Sequence, residues 1–469
     1  MPTQAQPEPQ ESQESKLDLS FIDRVDQHFF MHEPLKRIVI GFYRLFYHQV
    51  HVEGLENLPR GQALILAPNH QNALMDALAV VFNTRRPVVF LARADIFRNP
   101  RLASVLTFMR IMPVFRLRDG KDTLALNERI FEKSIEVLEK KEYPLAIFPE
   151  ATHIDKHHLR VLQKGLSRIA FQAEERNHWQ LGLKVVPVGL HLWHYTNART
   201  VVHVRFGKPV EVADFRDAYL ENPQRGMLAF RDRLSDGISG LMLNIRDLKH
   251  YAADDFLRQF YRLPLLGRMG LDDSYPNRLL ADQRSAEGLH RLRKADPEAY
   301  AQLEEKALRL DKELKAKDIR PWVPHRPSSR PALAGRALGL LLLLPFFLYG
   351  AAISFLPHFL LERFTQRKIA DTQFRSSIKF ALGGVFLFPI LFATLFGLSF
   401  LWFGPWWLNL LFGLSLPASG IFALHYHRWW RKLGARWRWQ SDADLRRRAG
   451  GIAQEIKSQM DPIVSDTKI

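Results

Sequence analysis

Cysteine is absent from the 469 residues, which excludes disulfides, thiolate metal sites and a cysteine-bound acyl intermediate. No Gly-x-Ser-x-Gly elbow occurs, so serine-hydrolase chemistry has no starting point. No glycine-rich loop of the nucleotide-binding kind is present either. Acidic residues are scarce beside basic ones, 49 against 66, giving a formal charge of +17. Such a balance suits an anionic partner: nucleic acid, an anionic lipid surface or a phosphorylated substrate. Between Phe380 and Leu424 there is no Asp, Glu, Lys, Arg or His at all. A soluble core would not carry so long an uncharged run, so this is a membrane region.

Residues 1–16 are rich in Gln, Glu and Pro with no apolar core segment, which reads as a disordered leader rather than a secretory signal. The basic, aromatic stretch up to Phe46 contains Arg44 and is too short to span. It predicts an amphipathic helix, lying on the bilayer or packed on the following domain.

Residues 17–213 then alternate strands with helices. Gln62–Leu66, Pro87–Ala92, Ile111–Arg116, Tyr143–Pro149, Val185–Leu190 and Thr200–Phe206 are apolar strand candidates. Leu102–Met109, Asp122–Lys141 and Gly165–Ala173 show helical spacing. The pattern predicts an α/β sheet flanked by helices, with function beyond the strand ends. Residues 214–320 turn helical and highly charged. Asp296-Pro297-Glu298 starts a helix there, with an apolar seam through Tyr300, Leu303, Ala307, Leu310 and Leu314. Residues 321–331 form a proline-rich linker, 332–440 the membrane region and 441–469 a polar tail.

Within the membrane region, 337–356 has about the length of one span and 380–424 of two, turning at Gly404-Pro405-Trp406-Trp407. Basic residues flank it at Arg326, Arg330 and Arg336, between Arg363 and Lys379, and from Arg428 to Arg438. A hairpin over 380–424 with a re-entrant or interfacial 337–356, bent near Pro345, keeps all three on one side and is preferred to three full spans. The basic, tryptophan-rich 425–440 reads as an interfacial anchor on anionic lipid rather than a nucleic-acid platform.

Four polar clusters follow strands. The first is Asn69-His70-Gln71-Asn72 with Asp76, where a histidine at a strand-to-helix turn meets a later carboxylate. The second is Arg116-Leu117-Arg118-Asp119-Gly120-Lys121. The third is Phe148-Pro149-Glu150-Ala151-Thr152-His153, backed by Lys164 and Arg168, and the fourth is Val185-Val186-Pro187-Val188. A base, cations and a further carboxylate at sheet ends suit transfer to a hydroxyl of a phosphorylated substrate. His153, His157 and His158 lack a second cluster that would complete a metal set.

In this order the clusters resemble the glycerophospholipid acyltransferase family, over about Gly41 to Phe206. The resemblance implies His70 as general base and Asp76 as the residue that orients it. Arg116, Arg118, Glu150, Thr152, His153, Lys164 and Arg168 would bind substrate, and Pro187 would be the fourth motif's proline. It implies an acyltransferase-type mixed sheet, no metal or cofactor, and no acyl-enzyme. The co-substrate would be acyl-CoA or acyl-carrier protein, and the acceptor glycerol 3-phosphate or 1-acylglycerol 3-phosphate. A lysophospholipid acyltransferase and a non-catalytic membrane scaffold stand as alternatives. Two departures are visible: five residues rather than four separate His70 from Asp76, and Ala151 and His153 stand where the family usually has Gly and Arg. Arg160, Lys164 or Arg168 could take over that arginine's contact. An integral membrane protein with its catalytic domain on the cytoplasmic side is expected. A bacterial inner membrane fits best, with the endoplasmic reticulum open and the oligomeric state undetermined.

Overall fold

A computed structural model describes residues 20–27, 32–84, 86–97, 99–115, 123–152 and 154–465. Of the expected features, the leader 1–16, Arg116, Arg118 and His153 lie outside these described residues.

The amphipathic stretch is helix α1 (His32–Phe46), continuing without a break into β1 (Tyr47–Glu53). One face buries Tyr43 and Phe46 in the sheet's core, and the Phe46 ring meets Phe380 of the membrane region edge-on at 5.5 Å. Leu35, Ile38 and Leu45 on the other face stay exposed. The helix thus packs on the domain and leaves an apolar face outward.

β2 (Leu64–Pro68) leads to α2 (Ala73–Asn83), and β3 (Val89–Arg93) to α3 (Pro100–Phe108) and β4 (Ile111–Val114). α4 (Thr123–Lys140) returns to β5 (Leu145–Ala146), and α5 (Lys164–Arg176) to β6 (Lys184–Leu192), β7 (Thr200–Phe206) and β8 (Val210–Glu211). The sheet order is β1-β7-β6-β2-β5-β3-β4, with β8 beside β6. All pairings are parallel except those of β6 with β7 and β8, so the sheet is mixed. β2 is central and wholly buried, as its uninterrupted Leu-Ile-Leu-Ala run requires. Phe148 and Pro149, read from sequence as strand, have already left the sheet, because β5 is only two residues long.

α6 (Arg216–Glu221) and α7 (Pro223–Leu241) cover the sheet. α8 (Tyr251–Arg268), α9 (Tyr275–Ala295) and α10 (Pro297–Ala316) form a second body. Asp296 caps α10 by accepting from the Ala299 amide at 2.9 Å, and its seam is buried from Tyr300 to Leu314. The last helix, α16 (Ala443–Ser465), shares that core: Leu445, Ala449, Ile456, Met460 and Val464 are all buried in it. The stretch read as a polar tail is therefore an amphipathic helix whose apolar stripe completes the bundle.

Between these bodies run α11 (Arg330–Leu342), α12 (Leu344–Lys368), α13 (Thr372–Ile378), a π-helical stretch (Lys379–Leu387), α14 (Phe388–Ser399) and α15 (Trp406–Ser441). Among the described residues, Leu344–Lys368, Phe374–Ser399 and Trp406–Ser441 are long and apolar enough to cross a membrane. α14 and α15 make the hairpin, turning between Phe400 and Pro405. α11 and α12 meet at Leu343, next to Pro345. Tyr426 Oη donates to the Leu340 carbonyl at 2.9 Å, Tyr349 and Ser415 share a hydrogen bond of 2.6 Å, and Glu362 pairs with Lys379 at 2.6 Å. Lys379 itself donates to the Thr196 carbonyl of the sheet domain.

α12 and α15 approach closely where Gly350 meets Ser419: a Cβ on Gly350 would stand 2.2 Å from the Ser419 carbonyl oxygen. Small residues at such a crossing let two backbones pack. Gly350→Leu should force the pair apart and destabilise the protein by ~2–4 kcal/mol, read as a lower thermal midpoint in detergent.

Candidate functional site

The site forms where β2 ends. Asn69 fixes the exit, its side chain accepting from the Leu190 amide at 2.6 Å and donating to the Leu190 carbonyl at 3.1 Å. The chain then stays out of helix until Ala73, whose φ of 41° is left-handed. This late start answers the spacing problem. Residues 70–72 wrap round the Asp76 carboxylate instead of extending the helix away from it. Asp76 Oδ2 receives the His70 ring nitrogen Nδ1 at 3.0 Å and the backbone amides of Gln71 and Asn72, each at 2.6 Å. Asp76 is fully buried, and His70 keeps 15% of its side chain exposed. With Nδ1–H committed to the carboxylate, Nε2 is the nitrogen that can take up a proton.

Glu150 joins this turn from the end of β5. One oxygen accepts from the His70 amide at 2.6 Å and the other from the Arg160 amide at 2.9 Å. Its carboxylate thus holds the backbone on which His70 rides, and it is buried. Burial pushes the Glu150 carboxyl up to about 8; the two amides and the Arg160 charge pull it down, and nearby Asp76 raises it further. The Phe148 ring stacks on the His70 imidazole, centroids 4.1 Å apart and 21° from coplanar. Both oxygens of Glu150 are thus engaged by backbone amides.

The other expected residues are spread around this centre. Thr152 is half-buried beside Glu150. Ala151, at the family's glycine position, has φ 55°, the conformation that favours glycine. Lys164 begins α5, one residue past Gln163, whose amide donates to the Pro149 carbonyl at 2.7 Å. Arg168 is exposed one turn on, its guanidinium over the Phe131 ring at 5.2 Å. Asn127 brackets Phe115 with two hydrogen bonds, fixing the chain as it leaves β4 just before Arg116. Pro187 lies inside β6, opposite Ala67 of β2. Among the described residues no His/Asp/Glu cluster could hold a metal ion.

Sequence reading missed the supports behind the turn. Tyr195 donates its hydroxyl to Gln71 Oε1 and accepts from His157 Nδ1, both at 3.0 Å. Burial first, then the cations Arg258 and Arg262, hold His157 well below the usual histidine range, so it stays neutral. Asn72 donates to the Tyr195 carbonyl at 3.0 Å and accepts from the Ser376 hydroxyl at 2.6 Å. Ser376 lies on α13, at the start of the apolar stretch Phe374–Ser399. Nothing in the sequence signals that contact.

A buried histidine–aspartate pair beyond the central strand of an α/β sheet has the geometry of an acid/base pair, at the strand ends where such sheets place their sites. More particularly, the sequence model of the family described as Acyltransferase matches residues 49–191, which contain the pair. The chain is 26% identical over 120 residues to "Glycerol-3-phosphate O-acyltransferase 1" of Saccharomyces cerevisiae, covering 25% of this chain and 16% of that protein. It is 30% identical over 140 residues to the "1-acyl-sn-glycerol-3-phosphate acyltransferase" of Borreliella burgdorferi, covering 30% of this chain and 50% of that one. The chain thus spans half or less of the length of these relatives. Among solved structures, the 1-acyl-sn-glycerophosphate (LPA) acyltransferase PlsC of Thermotoga maritima aligns with a TM-score of 0.33 at 19% identity, covering 47% of this chain and 86% of that one.

Two outcomes follow from the Glu150 environment. Its folded pKa stands above the ordinary 4.5, so its contribution to stability is complete below 4.5 and is lost as pH climbs through about 8. Thermal unfolding of the unaltered protein should therefore lose ground to Glu150→Gln between pH 5 and pH 8, by a few kcal/mol at most. Ala151→Gly should raise stability by ~0.5–1 kcal/mol by relieving the left-handed backbone, read as a higher thermal midpoint.

Proposed function

We propose that this chain is a membrane-bound O-acyltransferase of phospholipid synthesis. It would move a fatty acyl group from acyl-CoA or acyl-carrier protein to a hydroxyl of glycerol 3-phosphate or 1-acylglycerol 3-phosphate. The observation that carries this reading is the His70–Asp76 pair, with its aspartate oxygen tied to the turn by two backbone amides. The named activities of the two relatives support the choice of acceptor.

In this reading His70 Nε2 accepts the proton of the acceptor hydroxyl as its oxygen attacks the thioester carbonyl. Asp76 fixes the tautomer and stabilises the imidazolium that forms. Collapse of the tetrahedral adduct breaks the carbon–sulfur bond. The imidazolium then returns its proton to the departing thiolate, leaving an ester and a free thiol. No metal, cofactor or covalent enzyme intermediate takes part. Glu150 and Phe148 hold the imidazole in place, one through its backbone and the other through its ring face.

Arg116 and Arg118 follow a strand end fixed by Asn127 and would bind the acceptor phosphate, with Thr152, His153, Lys164 and Arg168 lining its approach. The apolar helices would hold the domain against the bilayer that receives the product. Basic residues at the sheet-facing ends of those helices favour a cytoplasmic-side domain, with 380–424 as a hairpin and 337–356 as a re-entrant segment. A bacterial inner membrane suits that placement.

Transfer of labelled acyl chains by the purified protein to a panel of glycerol 3-phosphate, lysophosphatidate and other lysophospholipids tests the proposal. Transfer to one of the first two is expected. Transfer only to the others would make the chain a lysophospholipid acyltransferase, and transfer to none would leave a lipid-binding scaffold. His70→Ala should lower kcat/KM by about 10²–10⁴-fold. Normal transfer by that variant would remove His70 as the base.

A further inference from the structure

A cavity of about 1480 Å³ lies between the sheet domain, the α8–α9 body and the membrane helices. It exceeds the ~300–1,000 Å³ of ordinary small-molecule pockets. Its two ends differ in chemistry. Towards the sheet it is lined by Arg320, Arg428 and Lys432; between α12, α14 and α15 it is lined by Ala351, Phe392 and Ile421. It does not reach His70. Tyr195, whose hydroxyl and carbonyl support Gln71 and Asn72, forms part of the wall between them.

The cations at the wide end are of two kinds. Arg262 pairs with Asp282 at 2.7 Å, Lys379 with Glu362 at 2.6 Å and Arg431 with Asp318 at 3.5 Å. Arg320, Arg428 and Lys432 have no carboxylate in ion-pair distance among the described residues. Arg428 instead donates to the carbonyls of Ala198 and Arg199, which neutralise no charge. Beside them His194 is held down to about 4, by burial first and then by Arg320, Arg428, Arg258 and Arg262. Arg320 and Lys432 are exposed and Arg428 half-buried, so three like charges stand together where an anion can reach them. An apolar extension between helices of membrane-crossing length restricts that anion to one with hydrocarbon attached.

We propose that this cavity is a binding site for an anionic glycerophospholipid of the surrounding bilayer, its phosphate among Arg320, Arg428 and Lys432 and its acyl chains between α12, α14 and α15. The lipid is a resident component, separate from whatever reacts at His70. It goes beyond the acyl-transfer reading and does not depend on it.

The test uses the full chain in lipid-depleted detergent, incubated with dioleoyl-phosphatidylglycerol or dioleoyl-phosphatidylcholine and followed by native mass spectrometry. One phosphatidylglycerol should be retained per chain, with about tenfold preference over the matched zwitterionic lipid. Arg320→Gln combined with Lys432→Gln should reduce that preference below about threefold without moving the thermal midpoint. Ala351→Trp, which fills the apolar end, should reduce retention of both lipids. His70→Ala should retain the lipid fully, so a failure of the acyl-transfer reading and a failure of this one are told apart. Equal retention of the two lipids by the unaltered chain overturns the proposal, whether or not the variants fold. So does an undiminished preference in the double variant, or displacement by millimolar inorganic phosphate, which would mark a free-phosphate site. One-for-one displacement by long-chain acyl-CoA or lysophosphatidate also overturns it, by making the cavity a substrate pocket.

Discussion

One buried oxygen, Asp76 Oδ2, organises the centre of this protein. It takes three hydrogen bonds at once, from an imidazole and two consecutive amides. A buried carboxylate is costly unless its charge meets donors, and here the donors belong to the loop that the carboxylate must shape. The aspartate therefore orients the histidine and fixes the backbone path leading to it. Glu150 does the same from the other side through the His70 amide. Two acids, one on α2 and one in the loop after β5, clamp a short turn, and the histidine is left with one productive orientation.

Much of this was legible in the residues. The apolar run of β2, the polar turn after it and the later Asp76 stand in the order they occupy in space. The uncharged stretch from Phe380 to Leu424 declared its hairpin through composition alone. What sequence could not carry was closure over distance. Glu150 stands out by type and position, but the two backbone amides that its oxygens accept from, one of them 80 residues away, leave no mark in sequence. Ser376 is an ordinary serine in a basic stretch, and its bond to Asn72 depends on how α13 falls across α2. Periodicity reports a face to be covered without naming the cover. The α10 seam was visible for that reason, while its partner α16 was hidden behind a charged composition.

The five-residue spacing shows how a local rule yields to a tertiary one. On a regular helix from His70 onward, the extra residue would turn the carboxylate about 100° away. Starting the helix at Ala73, through a left-handed residue, removes the conflict. The strain of that φ is small beside the hydrogen bonds it permits.

The bond between Ser376 and Asn72 joins residues 304 positions apart. It gives the protein an order of assembly. The sheet and its carboxylate-bound turn are made of residues that leave the ribosome first. The donor that finishes the turn arrives only at the start of the second apolar stretch, Phe374–Ser399. Maturation of the turn is thereby tied to the seating of those helices, and a chain halted before them would hold an acid/base pair whose outer support is still missing.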